Sequence, residues 1–84
     1  MTIEEVNEYA VENEIDLMLF SEPAFNKSII GISYDNRVIY DYESMEIELM
    51  DGGMTAEEAN DFLHYNTLRA LSYYEGSPIV MYVK

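Results

Sequence analysis

The chain has 84 residues, 49% apolar and 13% aromatic, with 17 Asp and Glu against 4 Lys and Arg and a formal net charge of -13. Such a charge excludes direct nucleic-acid binding and attachment to anionic membrane, and it favours basic protein surfaces as partners. The absence of cysteine excludes disulfides and thiolate metal sites, a pattern compatible with the cytosol.

The acidity does not mark a disordered tail, because such tails are poor in aromatic and β-branched residues. The composition instead predicts a single folded domain over residues 1–84 with a small core. The charge is uneven. Met1 to Asn26 holds no Lys or Arg, and neither does Val38 to Leu68. The N-terminus has no positive n-region followed by an apolar h-region, so it does not read as a secretory signal. The longest uninterrupted apolar run, Ile79 to Val83, falls far short of the ~20 residues that span a bilayer.

In chain order, Thr2-Ile3-Glu4-Glu5 reads as a capping box, and Ile3, Val6 and Ala10 follow helical spacing with Tyr9 or Asn13 at the edge. A helix is expected over about residues 3–13, with Glu4, Glu5, Glu8 and Glu12 on its solvent side. Ile15 to Phe20 is a short apolar run stopped by Ser21-Glu22-Pro23 and is expected as a strand. Ser28–Ser33 and Arg37–Tyr42 flank Tyr34-Asp35-Asn36, which predicts a hairpin, with Gly31 marking a bulge or a close backbone approach. Glu43 to Met50 places Met45, Leu49 and Met50 at helical spacing and leaves Ile47 off that face. Asp51-Gly52-Gly53 ends this helix, either glycine being able to take the left-handed position. Thr55-Ala56-Glu57-Glu58 is a second capping box, and Ala59, Phe62 and Leu63 trace the face of a further helix. Asn66-Thr67 is placed to cap one more turn, so a break is expected near Tyr65. Ile79 to Val83 is a final strand. The order predicts an α+β fold, an antiparallel sheet of three to four strands with two or three helices on one face.

Residue types that carry chemistry are scarce. His64 is the only histidine. Asp61 stands three residues before it, yet no cysteine and no nearby serine but Ser72 offers a nucleophile, so His64 reads as a half-buried or capping residue. Asp51-Gly52-Gly53 begins like a calcium loop but lacks the alternating carboxylates and the twelfth-position Glu such a loop needs. Arg69 is expected to form a local ion pair. Neither a catalytic residue nor a cofactor is expected.

Two features fit partner binding. Glu4, Glu8 and Glu12 recur at i, i+4, i+8 beside Glu5, and Glu57, Glu58 and Asp61 follow the second capping box. Like charges at this spacing cost a few tenths of a kcal/mol each, so a merely solvated, solubilising face is an equal reading. Tyr is the most frequent aromatic, and Tyr73 and Tyr74, just before the last strand, are candidates for an interface.

Ile29-Ile30-Gly31, Arg37 to Tyr42, Met54 to Ala59, Tyr65 to Leu71 and Pro78 to Tyr82 together resemble a group of short acidic proteins encoded by bacteria and their phages. Met54 to Leu71 carries the most specific part of the likeness. The resemblance implies a bacterial cytosolic or mobile-element setting. By analogy of class it implies an anti-defence inhibitor of the anti-CRISPR kind, which imitates DNA and occupies a basic groove. Glu4, Glu5, Glu8, Glu12, Glu57, Glu58 and Asp61, with Tyr73 and Tyr74, are the residues expected to meet that partner. The alternative is an accessory protein whose acidity serves solubility and which uses its tyrosines for an apolar contact or a homodimer.

Overall fold

The computed structural model describes residues 1–83, the side chains of Ser72 and Tyr73 excepted. Helix α1 (Ile3–Glu12) begins with the expected capping box: the Thr2 side chain accepts from Glu5 N–H, and Glu5 accepts from Thr2 N–H at 2.9 Å. Val6 is buried, with Ile3, Tyr9 and Ala10 half-buried around it. Asn13 closes the helix, its side-chain amide donating to the Tyr9 carbonyl at 2.8 Å.

Ile15–Phe20 does not form the expected strand. Its burial alternates as a strand's does, with Ile15, Leu17 and Leu19 turned inward, yet it makes no ladder. The three-stranded sheet has order β1-β2-β3, and the segment pairs with neither edge strand. The segment instead packs Leu17, Leu19 and Phe20 on the core. Phe20 N–H donates to the Tyr40 hydroxyl at 3.3 Å.

A single 3-10 turn (Asn26–Ser28) leads into β1 (Ile29–Ile32), which pairs antiparallel with β2 (Val38–Asp41). The register slips between Ile29 and Gly31, so the bulge expected at this glycine is present and turns Ile30 outward. Asn36 sits at φ 60° in the hairpin turn, a conformation its short polar side chain tolerates. The Ser33 hydroxyl, held to Asp35, accepts from Arg37 N–H.

Helix α2 (Tyr42–Asp51) buries Tyr42, Met45 and Leu49, while Met50, expected inside, is exposed with Ile47. Gly53 takes the left-handed position at φ 111° after it, and Gly52 does not. Helix α3 (Ala56–Phe62) opens with the second capping box. The expected break comes where Leu63–Thr67 widens into a π turn and Leu68–Tyr73 tightens into a 3-10 helix. It does not arise by capping, because the Thr67 side chain makes no cap hydrogen bond. Strand β3 (Ile79–Met81) completes the sheet.

The fold is α+β and follows the expected order of elements apart from the missing first strand, but β2 and β3 run parallel, which corrects the wholly antiparallel sheet. The physical reason is the connection. Two helices and the π and 3-10 turns separate the strands, a connection long enough to cross over and return the chain in the same direction. Val38, Tyr40, Met45, Ala59 and Leu63 form the fully enclosed centre of the core. Burying side chains such as Met45 and Leu63 contributes about 1.5–3 kcal/mol each. No helix is long and apolar enough to cross a membrane among the described residues.

Candidate interaction surface

The α1 carboxylates divide by role. Glu4, Glu8 and Glu12 stand exposed along one side of the helix, and Glu8 and Glu12 share a shallow depression with Asn7 and the exposed Val11. Glu5 is turned back on its own cap, and the hydrogen bonds from Thr2, backbone first and hydroxyl second, hold its carboxyl below the ordinary glutamate range. The helix is tied to one edge of the sheet. The Met1 ammonium donates to the Ile29 carbonyl at 3.0 Å, and the Tyr9 hydroxyl donates to Asn36 Oδ1 at 2.8 Å.

Helix α3 repeats the division. Glu57 and Asp61 are exposed, and Glu58 accepts from Thr55 N–H at 2.9 Å, which lowers its pKa in the same way. What differs is the neighbourhood. The Tyr42 hydroxyl donates to Asn60 Oδ1 at 3.2 Å, so the side of α3 carrying Asn60 lies against the start of α2. The pairing of Asp41 with Met81 sets the next two residues side by side, and the rings of Tyr42 and Tyr82 meet with centroids 4.9 Å apart at 47°. His64, one helical turn beyond Asn60, brings its ring to 5.9 Å from that of Tyr42. His64 is exposed, in contrast to the half-buried or capping position expected for it, and Tyr82 is 53% exposed. The Tyr42 phenol is pushed up by burial first, then by the negative charge of Glu46 and by Tyr82.

Three rings thus form an aromatic ledge, with Glu46 close enough to act on Tyr42 and with Asp61 and Glu57 about one and two turns before His64 on α3. Of its members, reading the residues in order singled out only Glu57 and Asp61 for a partner. Tyr42, Asn60 and His64 carried no pattern linking them, and Tyr82 joins only through the parallel strand pairing.

Tyr74 belongs to a different feature. It is 61% exposed and lines a groove of about 240 Å³ between the Met18–Phe25 segment and the π and 3-10 turns, with Leu71 and Pro78 on the same side. Phe25 forms part of this lining, buried at 3% and held at φ 54°, with the Phe20 ring edge-on to it at 5.9 Å. The Tyr73 side chain lies outside the described residues. The lining is mainly apolar, with Glu22 as its carboxylate. Its volume is below the ~300 Å³ at which small-molecule sites begin, so it suits one or two apolar side chains.

The acidic row of α1 is thus tied to β1, while α3 packs against the start of α2. Arg69, expected in an ion pair, is exposed on the 3-10 segment. The cation that organises structure is Arg37, whose Nε donates to the Ser77 carbonyl at 2.7 Å and so fixes the approach to β3. Among the described residues no group of three or more His, Asp or Glu side chains is arranged to hold a metal ion. Comparison with family models, with curated proteins and with solved structures gives no match.

Proposed function

We propose that this protein acts by binding, covering a basic nucleic-acid-binding surface of a partner protein in the bacterial cytoplasm as an anti-defence inhibitor of the anti-CRISPR kind does. One observation carries the reading. Glu4, Glu8, Glu12, Glu57 and Asp61 all face solvent, on two helices drawn from the stretches that contain no Lys or Arg. Duplex DNA presents one negative charge per roughly 1.7 Å of axis, and proteins that hold it line the contact with Lys and Arg. A small body that exposes carboxylates along two helices competes for such a surface. Long-range attraction speeds the encounter, and aromatic anchors slow the departure. The resemblance to short acidic proteins of bacteria and phages supports the setting.

The test is capture of bacterial lysate proteins on the immobilised chain, eluted first with duplex DNA and then with salt. The expected result is a nucleic-acid-binding protein displaced by DNA and released by salt. Retained partners indifferent to both would overturn the proposal.

A second reading rests on the groove at Tyr74. It supports an accessory protein that takes an apolar side chain of a partner, or of a second copy, with its charge serving solubility. Light scattering after size exclusion distinguishes them: a dimer unaffected by salt and abolished by Leu71→Asp favours this reading.

A further inference from the structure

We infer that the ledge formed by Tyr42, His64 and Tyr82 is the seat for an arginine side chain of the partner. The inference rests on the proposed acidic binding role and names the chemistry of its anchoring contact.

The ledge combines what a guanidinium needs. Tyr82 is 53% exposed and the His64 ring is exposed, so aromatic surface faces outward, while Tyr42 beneath them is buried at 4% and fixed by its hydrogen bond to Asn60. A planar cation stacks on such rings and gains from their quadrupole within about 6 Å. Carboxylates border the rings from both helices. Glu46 stands one helical turn after Tyr42 on α2, and Asp61 and Glu57 precede His64 by about one and two turns on α3. Arg presents a rigid fork that satisfies a carboxylate in pairs while its plane lies on a ring, whereas Lys offers a compact, strongly hydrated charge. On α1 the Tyr9 ring is half-buried with its hydroxyl held by Asn36, so Glu4, Glu8 and Glu12 attract either cation chiefly by charge. Tyr and Arg are also the residues that dominate binding energy in protein interfaces.

The test uses two synthetic peptides of equal length and charge, one with glycine-spaced arginines and one with glycine-spaced lysines, titrated into the isotope-labelled full chain at low and high salt. The expected result is salt-dependent binding of both, with about 2–5-fold tighter binding of the arginine peptide, the range of one exposed cation–π contact. Backbone resonances of Tyr82, His64 and Asp61 shift most. Tyr82→Ala and Tyr82→Leu both reduce the arginine peptide to the affinity of the lysine peptide. The leucine variant keeps apolar packing at this position and so separates loss of the ring from loss of the fold. Tyr34→Ala, on a fully exposed turn residue, leaves the preference intact. Equal salt-dependent affinity of the two peptides would overturn the arginine seat while leaving the electrostatic role standing. An arginine preference that survives both Tyr82 variants would likewise overturn it. Absence of salt-dependent binding by either peptide would overturn both proposals.

Discussion

Helices α1 and α3 begin with the same local code and end differently. Each is opened by a Thr whose hydroxyl accepts from the third helical residue, and each has that residue, Glu5 or Glu58, reach back to the cap. Each exposes further carboxylates to solvent. Helix α1 then stops at Asn13 and rests on the sheet chiefly through Val6. Helix α3 buries Ala59, continues into the π turn that buries Leu63, and carries His64 onto Tyr42. An identical start sets where a helix begins and which side is acidic. It does not set what the acidic side stands next to, and that neighbourhood separates a solvated face from a candidate contact. The π turn is the device. Leu63 and Thr67, four residues apart, are both buried along this turn, and such turns are frequent at functional sites.

The comparison breaks most sharply in the core. Leu63→Ala removes a fully enclosed side chain and is expected to cost about 2–5 kcal/mol in urea unfolding, enough to unfold much of a domain of this size. Val6→Ala, which loses two methyl groups at the other helix, is expected to cost less, about 1.5–2 kcal/mol. Equal costs would show that α1 is as deeply integrated as α3. At the caps the two helices should behave alike. Thr2→Ala and Thr55→Ala are each expected to cost about 1 kcal/mol, lowering the melting temperature by about 4–8 °C.

A smaller effect is the pH dependence of the caps. The carboxyls of Glu5 and Glu58 lie below their ordinary range in the folded chain. A depressed pKa contributes stability that is present above the unfolded value, about 4.3 for Glu, and is lost as pH falls through the folded value. The stability advantage of the native chain over Glu58→Gln should therefore be full at pH 6 and shrink below about pH 4. An advantage that persists unchanged to pH 3 would mean the cap works as well with a protonated carboxyl. The smallest effect falls on the exposed row: Glu8→Gln, beyond the first turn and four residues from both Glu4 and Glu12, should raise helix stability by a few tenths of a kcal/mol by relieving i,i+4 repulsion. The same substitution should weaken partner binding and flatten its salt dependence if the row is part of the contact.

How much of this was legible in the residues follows from the range of the forces involved. The break expected near Tyr65 is present, though not by the capping that suggested it. Both capping boxes, the hairpin about Asn36 and the bulge at Gly31 were visible because each depends on neighbours within a few positions. Ile15–Phe20 misled for the same reason. Its alternation is real and orients its side chains, but a strand also needs a backbone partner, and this segment instead packs its side chains on the core with Phe20 N–H on the Tyr40 hydroxyl. Met50 shows the limit of periodicity on a short helix, where only Tyr42, Met45 and Leu49 found a surface to cover. The acidic residues were readable one by one. The ledge was not, because it joins the start of α2, the end of α3 and the residue after β3.

Composition, charge and local spacing thus determined a small acidic α+β chain with two capped, carboxylate-bearing helices, since caps, turns and amphipathic faces are settled by contacts close in sequence. Only the tertiary structure decided that β3 returns parallel to β2. That choice sets Tyr82 beside Tyr42 within reach of His64, and it comes from how a crossover of two helices packs on a sheet, a contact between residues some forty positions apart.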